Sequence, residues 1–441
     1  MSLNPSAASD ASTSSPIPHW YGPGDDRLTI VEGTGARVID DDGTEYLDFL
    51  AQLYCVNAGH NEPRIIDAIT EQLERVAYVS SAKRNDARTE LARRLTAVAP
   101  EPLTDVFFSV TGSEANESAV QLAREYTGAQ KVLTRWRSYH GATYGAGSLT
   151  GDPQTRATLE RHAATTGAGK FLPPLPQAFD GATGEELAER AANHLEFVIR
   201  NEGPDSIAAI LSEPVAGTSG GYPAPPGYFE RVRELCDEYG ILLISDEVIA
   251  GFGRCGDWFG IQTEGVDPDM ITFAKGVTSA YVPLAGVLVD SDVGEWLSQN
   301  GIDVGQTFAG HPVGCAAGIG AMDAYEDGLI ENARDLEPYL EAGLETIAER
   351  YDAVRSVHGR GLLWSVEFAD PETGYPHFDP RVDEGDNPVE TVRAVAKAHG
   401  VLFGSGRPDV QVLISPPLCV DEADVDQALS ALDAGIEAAF D

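Results

Sequence analysis

The chain has 441 residues, 42% hydrophobic and 23% charged, a composition typical of folded proteins rather than disordered, collagen-like or coiled-coil ones. This length predicts two or three domains. The formal net charge is −40 at pH 7, because 70 acidic residues oppose 30 basic ones. So negative a surface repels nucleic acid and anionic membranes, and neither is expected as a partner. Only five basic residues are lysine, which suggests a halophilic source, with an acidic protein from an ordinary cell as the alternative.

The spacing of the cysteines and the first residues of the chain indicate the cellular compartment in which the protein is expected. Five cysteines lie far apart, with no C-x-x-C pair and no histidine cluster at metal-ligand spacing, so neither a disulfide framework nor a metal site is expected. The first residues lack the basic start and apolar core of a signal peptide, and we predict a disordered N-terminal arm over residues 1–20. No segment reaches the roughly 20 mostly apolar residues of a membrane span. A cytoplasmic location is therefore expected.

In chain order, the predicted elements begin with short antiparallel strands at Leu28–Val31 and Ala36–Ile39 and a turn at Asp42-Gly43. From Glu62 onward, amphipathic helices alternate with short apolar runs, which predicts a parallel sheet flanked by helices. The runs are, in order, DVFFSV, KVLT, SIAAILS, ILLIS, MITFAK and AGVLV. After residue 325, helices and the strands LLWSVEF and VQVLIS indicate a smaller α/β lobe.

The residues that follow each apolar run are the candidates for a ligand-binding site, because ligands bind at the carboxyl ends of strands in an open parallel sheet. After DVFFSV, Thr111, Gly112 and Ser113 open a helix whose free N–H groups and dipole suit a phosphate. A plain helix N-cap is an equal alternative for this segment. No G-x-x-x-x-G-K-[ST] or G-x-G-x-x-G motif is present, which disfavours nucleoside triphosphates and dinucleotides.

Two further strand ends carry charged groups. Asp246 follows ILLIS, and a carboxylate at the mouth of a buried sheet must be paired or functional. Lys275 follows MITFA, where partial desolvation favours loss of its proton and imine formation with an aldehyde, a snorkelling lysine being the alternative. Pyridoxal phosphate needs an anion-binding site for its phosphate, a carboxylate for its pyridine nitrogen and an amine for its aldehyde. The three strand ends together supply these groups.

The chain resembles a known family from about Leu28 to its C-terminus. The class III pyridoxal-phosphate-dependent aminotransferases of fold type I carry similar segments in the same order. Those segments are FFSVTGSEANESAVQLAR, RSYHGAT, SEPV, ISDEVIAGFGRCGDWFG, ITFAKGVTSAYVPLAG, QTFAGHPVGCAAG and ISPPL. GHNEPRI and LAQLYCVN resemble the ω-aminotransferase branch.

The resemblance implies an α/β fold in which a large domain with a mainly parallel sheet binds the cofactor. A smaller α/β domain is then built from both chain ends. The implied bounds are 21–60 for the N-terminal part of the small domain, 61–325 for the large domain and 326–441 for the C-terminal small domain.

The resemblance also implies roles for individual residues. Lys275 would be the Schiff-base lysine and the general acid/base, and Asp246 the partner of the pyridine nitrogen. Thr111, Gly112 and Ser113 would hold the phosphate. The other residues implied at the cofactor are Tyr139 and Val248 on the two ring faces, His140 and Glu213 close by, and Thr307, which would reach the phosphate of a neighbouring subunit.

The resemblance also implies the activity, which is transfer of an amino group from an ω-amino acid or amine to a keto acid such as pyruvate by a ping-pong mechanism. It implies a homodimer with shared active sites, and a tetramer is left open. Tyr54, Trp20 and Arg407 are the candidate substrate-binding residues. Arg407 would bind a substrate carboxylate, and an ordinary surface arginine is the alternative for it. A 4-aminobutyrate or acetylornithine aminotransferase, an aminomutase, and a non-catalytic binding module are the alternatives.

Overall fold

The computed structural model describes His19, residues 27–159 and residues 167–440. The predicted arm at residues 1–20, apart from His19, and the candidate substrate residue Trp20 therefore lie outside the described residues.

Strands occur throughout the described part of the chain. They are β1 (Ile30–Thr34), β2 (Arg37–Asp40), β3 (Glu45–Asp48), β4 (Leu103–Ser109), β5 (Lys131–Arg135), β6 (Ala168–Phe171), β7 (Ile207–Ser212), β8 (Leu242–Asp246), β9 (Met270–Phe273), β10 (Ala285–Asp290), β11 (Val354–Arg360), β12 (Leu363–Phe368), β13 (Val401–Leu402), β14 (Gly404–Gly406) and β15 (Gln411–Ile414).

Helices separate most of these strands. They are α1 (Ala51–Tyr54), α2 (Pro63–Arg75), α3 (Asp86–Val98), α4 (Gly112–Thr127), α5 (Ala146–Leu149), α6 (Pro153–Leu159), α7 (Gly184–Glu202), α8 (Tyr228–Tyr239), α9 (Ser291–Asn300), α10 (Pro312–Ala324), α11 (Ile330–Arg350), α12 (Pro388–Ala398) and α13 (Glu422–Phe440). Short 3₁₀ turns lie at Pro176–Ala178, Pro204–Ser206, Gly260–Glu264 and Lys275–Thr278, and a π turn lies at Tyr325–Leu329.

The largest sheet has seven strands in the order β4-β10-β9-β8-β7-β5-β6. All neighbouring pairs are parallel except those of β10, which lies antiparallel between β4 and β9. The inner strands β7 and β8 are buried along their whole length, since helices cover both faces of the sheet. This arrangement confirms the predicted α/β fold with a mainly parallel sheet.

Two four-stranded sheets complete the fold. One has the order β1-β2-β3-β13, in which Leu47 of β3 pairs in parallel with Val401 of β13, so segments from both chain ends share a sheet. The other, β11-β12-β15-β14, is antiparallel. The strand β1 begins at Ile30 and not at the predicted Leu28. Its bounds are set by its pairing with β2 across the turn at Gly35, and the run of apolar residues alone does not show this.

Candidate active site

A cavity of about 590 Å³ lies at the carboxyl edge of the seven-stranded sheet. The strands β4, β5, β7, β8 and β9 all deliver the residues that follow them to this edge. The sequence-predicted residues that line the cavity are Tyr54, Thr111, Gly112, Ser113, Tyr139, His140, Glu213, Asp246, Val248, Lys275 and Arg407. Thr307 does not line it; this exposed residue accepts a hydrogen bond on its carbonyl oxygen from the Tyr78 hydroxyl at 3.0 Å.

Asp246 is the buried carboxylate at the end of β8, with 2% exposure. Its Oδ2 accepts hydrogen bonds from Asn116 Nδ2 at 2.9 Å and from His140 Nδ1 at 2.7 Å. Its Oδ1 accepts one from the backbone N–H of Val248 at 3.0 Å. Three donors fix the orientation of the carboxylate and offset the cost of burying it.

Asn116 is a site residue that the sequence reasoning missed. Its Nδ2 also donates to the carbonyl oxygen of His140 at 2.9 Å, while its Oδ1 accepts from the Thr272 hydroxyl at 2.8 Å. One amide thus connects α4, β9 and the loop after β5. The sequence pattern that could have identified Asn116 is a polar residue on a buried helix face whose other residues, Ala115 and Ala119, are small and apolar.

His140 and Glu213 lie on the same wall of the cavity. The buried His140 Nε2 has no hydrogen-bond partner among the described residues, although its other nitrogen is held by Asp246. Burial raises the pKa of Glu213, while the buried guanidinium of Arg135, 2.9 Å away at Nη2, acts in the opposite direction. Arg135 was also missed; its signal was a charged residue closing the apolar strand KVLTR.

Lys275 opens a 3₁₀ turn directly after β9, with a φ of +47°. The Tyr325 hydroxyl donates to the carbonyl oxygen of Gly276 at 2.5 Å and so fixes this turn. The Lys275 Nζ lies 5.4 Å from the centre of the Tyr54 ring and has no hydrogen bond to the described residues. Burial lowers the pKa of Lys275 below its usual value. The amine therefore sits in a setting that favours its neutral, nucleophilic form.

The start of α4 forms the helix N-cap that was one interpretation of its sequence, and it leaves room for the other. Thr111 and Glu114 form a capping box, in which the Thr111 hydroxyl accepts from the Glu114 N–H at 3.3 Å. The N–H groups of Gly112 and Ser113 have no partner among the described residues and remain available to an anion at the helix N-terminus. A Cβ at Gly112 would lie 3.0 Å from Val248 Cγ1, so a larger residue would crowd the cavity wall.

These features fit pyridoxal phosphate. The free N–H groups of Gly112 and Ser113 suit its phosphate, the oriented Asp246 carboxylate suits a protonated pyridine nitrogen, and Lys275 suits its aldehyde.

In the ranges that the structure describes, no group of three or more His, Cys, Asp or Glu side chains could hold a metal ion. Among the described helices, none combines the length and apolar character that a membrane span requires.

The cavity is also lined by Tyr54 and by two arginines, Arg393 and Arg407. Arg407 Nη1 donates to the buried carboxylate of Asp152 at 2.8 Å and also contacts the Thr155 hydroxyl. The arginine proposed from the sequence for a substrate carboxylate is thus already engaged by a carboxylate of the protein. Arg393, which the sequence reasoning missed, had no signal beyond a charged position on an amphipathic helix.

Comparison with known proteins agrees with this geometry. The family model described as "Aminotransferase class-III" matches residues 20–436. The chain belongs to the class III aminotransferases. It is 33% identical to diaminobutyrate–2-oxoglutarate transaminase of Halomonas elongata, over 93% of this chain and 90% of that protein.

Solved structures show the same relationship. The taurine:2-oxoglutarate aminotransferase of Bifidobacterium kashiwanohense, in complex with PLP and glutamate, shares 34% identity with a TM-score of 0.90, covering 96% of this chain and 95% of that one. An (S)-enantioselective ω-transaminase from Thermomicrobium roseum shares 35% identity with a TM-score of 0.89, covering 96% and 97%. This class III aminotransferase is thus a pyridoxal-phosphate-dependent enzyme that moves an amino group from a donor to a keto acid.

Proposed function

We propose that this enzyme transfers the amino group of an ω-amino acid or a simple amine to a keto acid such as pyruvate. The observation that carries the proposal is the lining of the cavity, which holds the Lys275 amine together with two arginines, Arg393 and Arg407. An ω-amino acid carries both an amine and a carboxylate, and this lining offers the cofactor lysine for the one and cationic side chains for the other. An amine without a carboxylate can fill the same space beside the Tyr54 ring.

In this proposal the chain's own residues have separate tasks. Bound pyridoxal phosphate supplies an aldehyde that takes up the amino group and a ring that accepts electron density. Lys275 holds the cofactor and later carries a proton between the substrate α-carbon and the cofactor C4′ carbon. Asp246 would keep the pyridine nitrogen protonated, and Tyr139 and Val248, which line the same cavity, would hold the ring.

The remaining predicted cofactor residues bind or position. Thr111, Gly112 and Ser113 bind the phosphate, and His140 and Glu213 line the cofactor's side of the cavity. We also propose a homodimer in which the exposed Thr307 reaches the phosphate in the neighbouring subunit. The division into a large domain at 61–325 and a small domain from both chain ends belongs to the same proposal.

Two proposals concern the setting of the enzyme. The five cysteines are free, which supports a reducing, cytoplasmic compartment. The net charge of −40 supports a halophilic source.

The test is an absorbance spectrum of the purified protein with bound cofactor, in molar salt. We expect an absorbance band at the edge of the visible range. An effective amine should bleach this band and pyruvate should restore it, and the two changes would demonstrate both half-reactions. Bleaching by a panel of ω-amino acids and amines names the donor class. A protein that isomerises an amino compound without any keto acid would instead be an aminomutase, and selective use of 4-aminobutyrate or acetylornithine would identify those aminotransferases.

A further inference from the structure

Arg254, in the loop between β8 and β9, is a fully buried cation whose hydrogen-bond acceptors among the described residues are all neutral. Its Nη1 donates to the carbonyl oxygens of Leu362, at 3.1 Å, and of Pro416. Its Nη2 donates to Oδ1 of Asn57 at 2.9 Å. Burial lowers the pKa of Arg254 to about 10, so the group is still charged at neutral pH. A buried charge without a counter-charge is costly, and features of this kind occur mainly where they serve function.

The three acceptors of Arg254 come from segments that are far apart in the chain. Asn57 follows α1, Leu362 lies between β11 and β12, and Pro416 follows β15. The Leu362 N–H also donates back to the carbonyl oxygen of Arg254 at 3.0 Å. A guanidinium has several donors in a rigid planar fork, so one side chain can hold all three oxygens at the same time. Arg254 therefore fixes the position of Asn57 relative to the sheet β11-β12-β15-β14.

Asn57 is the contact between Arg254 and the turn that begins at Lys275. It is 1% exposed, and its Nδ2 donates to the carbonyl oxygen of Phe252 at 3.0 Å. A Cβ placed on Gly276 would lie 2.7 Å from Asn57 Nδ2 and 2.9 Å from Phe252 Cβ, so the backbone of Gly276 packs directly against both residues. Because Gly276 is bonded to Lys275, a displacement of Asn57 would allow the backbone that carries the amine to move.

The backbone on both sides of this contact is strained. The φ of Lys275 is +47° and that of Phe252 is +58°. Residues other than glycine keep such a conformation only when the surrounding structure imposes it. Here the surroundings include the Asn57 side chain, which Arg254 holds, and the Tyr325 hydroxyl, which donates to the carbonyl oxygen of Gly276. The direction in which the Lys275 side chain leaves the turn therefore depends on Asn57 staying in place.

We propose that Arg254 positions Lys275 for its covalent bond to the cofactor by holding Asn57 against Gly276. This inference rests on the proposed function, in which Lys275 holds the cofactor's aldehyde. The amine condenses with that aldehyde, forming a C=N bond and releasing water. Arg254 is not among the described residues that line the cavity. It is thus a positioning residue, which affects the bond to Lys275 and not the contacts of the phosphate or the ring.

The test compares two forms of the cofactor in calorimetric titrations of the cofactor-free protein. Pyridoxal phosphate has the aldehyde that bonds to Lys275. Pyridoxamine phosphate has an amine in its place, so its affinity measures the phosphate and ring contacts alone.

Arg254→Lys keeps the charge but lacks the fork that reaches three acceptors. We expect its Kd for pyridoxal phosphate to rise by roughly 10–100-fold, the size of a lost hydrogen bond to a charged group. Its Kd for pyridoxamine phosphate should change by less than about threefold, because no residue that contacts the phosphate or the ring is altered.

Arg334→Lys is the matched control. Arg334 donates through Nε and Nη2 to the carbonyl oxygen of Gly256, at 3.1 and 2.8 Å, in the same loop as Arg254. It has no hydrogen bond to Asn57 in the described part of the chain, so its replacement should change both affinities by less than about threefold.

Asn57→Ser tests the same contact if Arg254→Lys does not fold. It leaves Arg254 with its two carbonyl acceptors and removes the side chain that packs against Gly276. The affinity for pyridoxal phosphate should again fall selectively. Equal losses of both cofactor forms, or no loss of either, would overturn the inference, because a general structural role weakens both and no role weakens neither.

Lys275→Ala separates failure of this inference from failure of the proposed function. It should weaken pyridoxal phosphate selectively, since it removes the amine itself. If Lys275→Ala does so and neither Arg254→Lys nor Asn57→Ser does, only the role of Arg254 is wrong. If Lys275→Ala binds pyridoxal phosphate as tightly as the wild type, the proposed role of Lys275 fails, and the role of Arg254 fails with it.

Discussion

The Nδ2 of Asn116 lies 2.9 Å from the Oδ2 of Asp246, and both groups are buried. Asn116 belongs to the second turn of α4, and it lines the same cavity as Gly112 and Ser113 at the start of that helix. Helix α4 thus carries at its start the N–H groups that we propose for the phosphate, and on its side the amide that orients Asp246. The relative placement of the two groups is fixed by the rigidity of α4.

Replacement of Asn116 tests this coupling. Asn116→Ala removes two bonds to Asp246 and His140 and leaves the Thr272 hydroxyl without its acceptor, so we expect the free energy of unfolding to fall by about 1–3 kcal/mol. Denaturant unfolding measures the loss. Asn201→Ala is the matched control, because Asn201 is exposed, and it should change stability by less than about 0.5 kcal/mol. Equal stability of the two variants would contradict a role for the buried amide.

Removal of Lys275 should abolish both the visible-edge band and turnover. Lys275→Ala deletes the amine that holds the cofactor's aldehyde and carries the proton. Absorbance spectra and an assay with amine and pyruvate check the outcome. Lys83→Ala, which removes an exposed lysine outside the cavity, should retain the band and the activity. Full activity of Lys275→Ala would refute the assignment.

The burial of Lys275 also predicts a dependence of stability on pH. Because burial lowers its pKa in the folded state, the folded protein binds this proton less tightly than the unfolded chain. The lysine therefore costs stability below its lowered pKa, and the cost disappears as pH rises past its unfolded value of about 10.4. Lys275→Met in the cofactor-free protein should be more stable than the wild type at pH 7.

Urea unfolding at a series of pH values measures this difference between the two proteins. The stability gained by Lys275→Met should shrink steadily as pH approaches about 10.4. A gain that is constant with pH would mean that packing, rather than the charge of the amine, is responsible.

Asp48 holds the backbone segment that presents Tyr54 to Lys275. Its carboxylate accepts from the N–H of Gln52 at 3.1 Å and from the His60 Nε2 at 3.0 Å, and Gln52 and Tyr54 both have positive φ values. Such conformations are costly for non-glycine residues and need support from their surroundings. The buried Asp48 provides that support.

Asp48→Asn places an amide group against some of these N–H donors. We expect a lower melting temperature and a fall of about tenfold in kcat/KM for β-alanine and 1-phenylethylamine alike, the size of one lost charged contact. A loss shared by both donors is expected because Asp48 positions Tyr54 and contacts neither donor itself. A loss confined to one donor would argue against this role.

The net charge of −40 predicts a response to salt. Repulsion among surface carboxylates destabilises the folded protein at low ionic strength, and salt screens it. The melting temperature should therefore rise between low salt and molar NaCl. A melting temperature that stays constant or falls would contradict the halophilic proposal.

The sequence alone determined the α/β fold and the positions of Thr111, Asp246 and Lys275. It could do so because apolar strands are readable from composition, and because the carboxyl ends of parallel strands meet at one edge of the sheet. Residues that directly follow a strand therefore converge even when they are far apart along the chain.

Tertiary structure decided which charged side chains are paired. Arg407 was a plausible carboxylate receptor in the sequence, and only the fold brings it to Asp152, which is 255 positions away. The same holds for Asn116 with Asp246 and for Arg393 at the cavity wall. Side-chain partners across separate elements depend on how helices and strands pack in three dimensions, and local patterns of hydrophobicity carry no record of that packing.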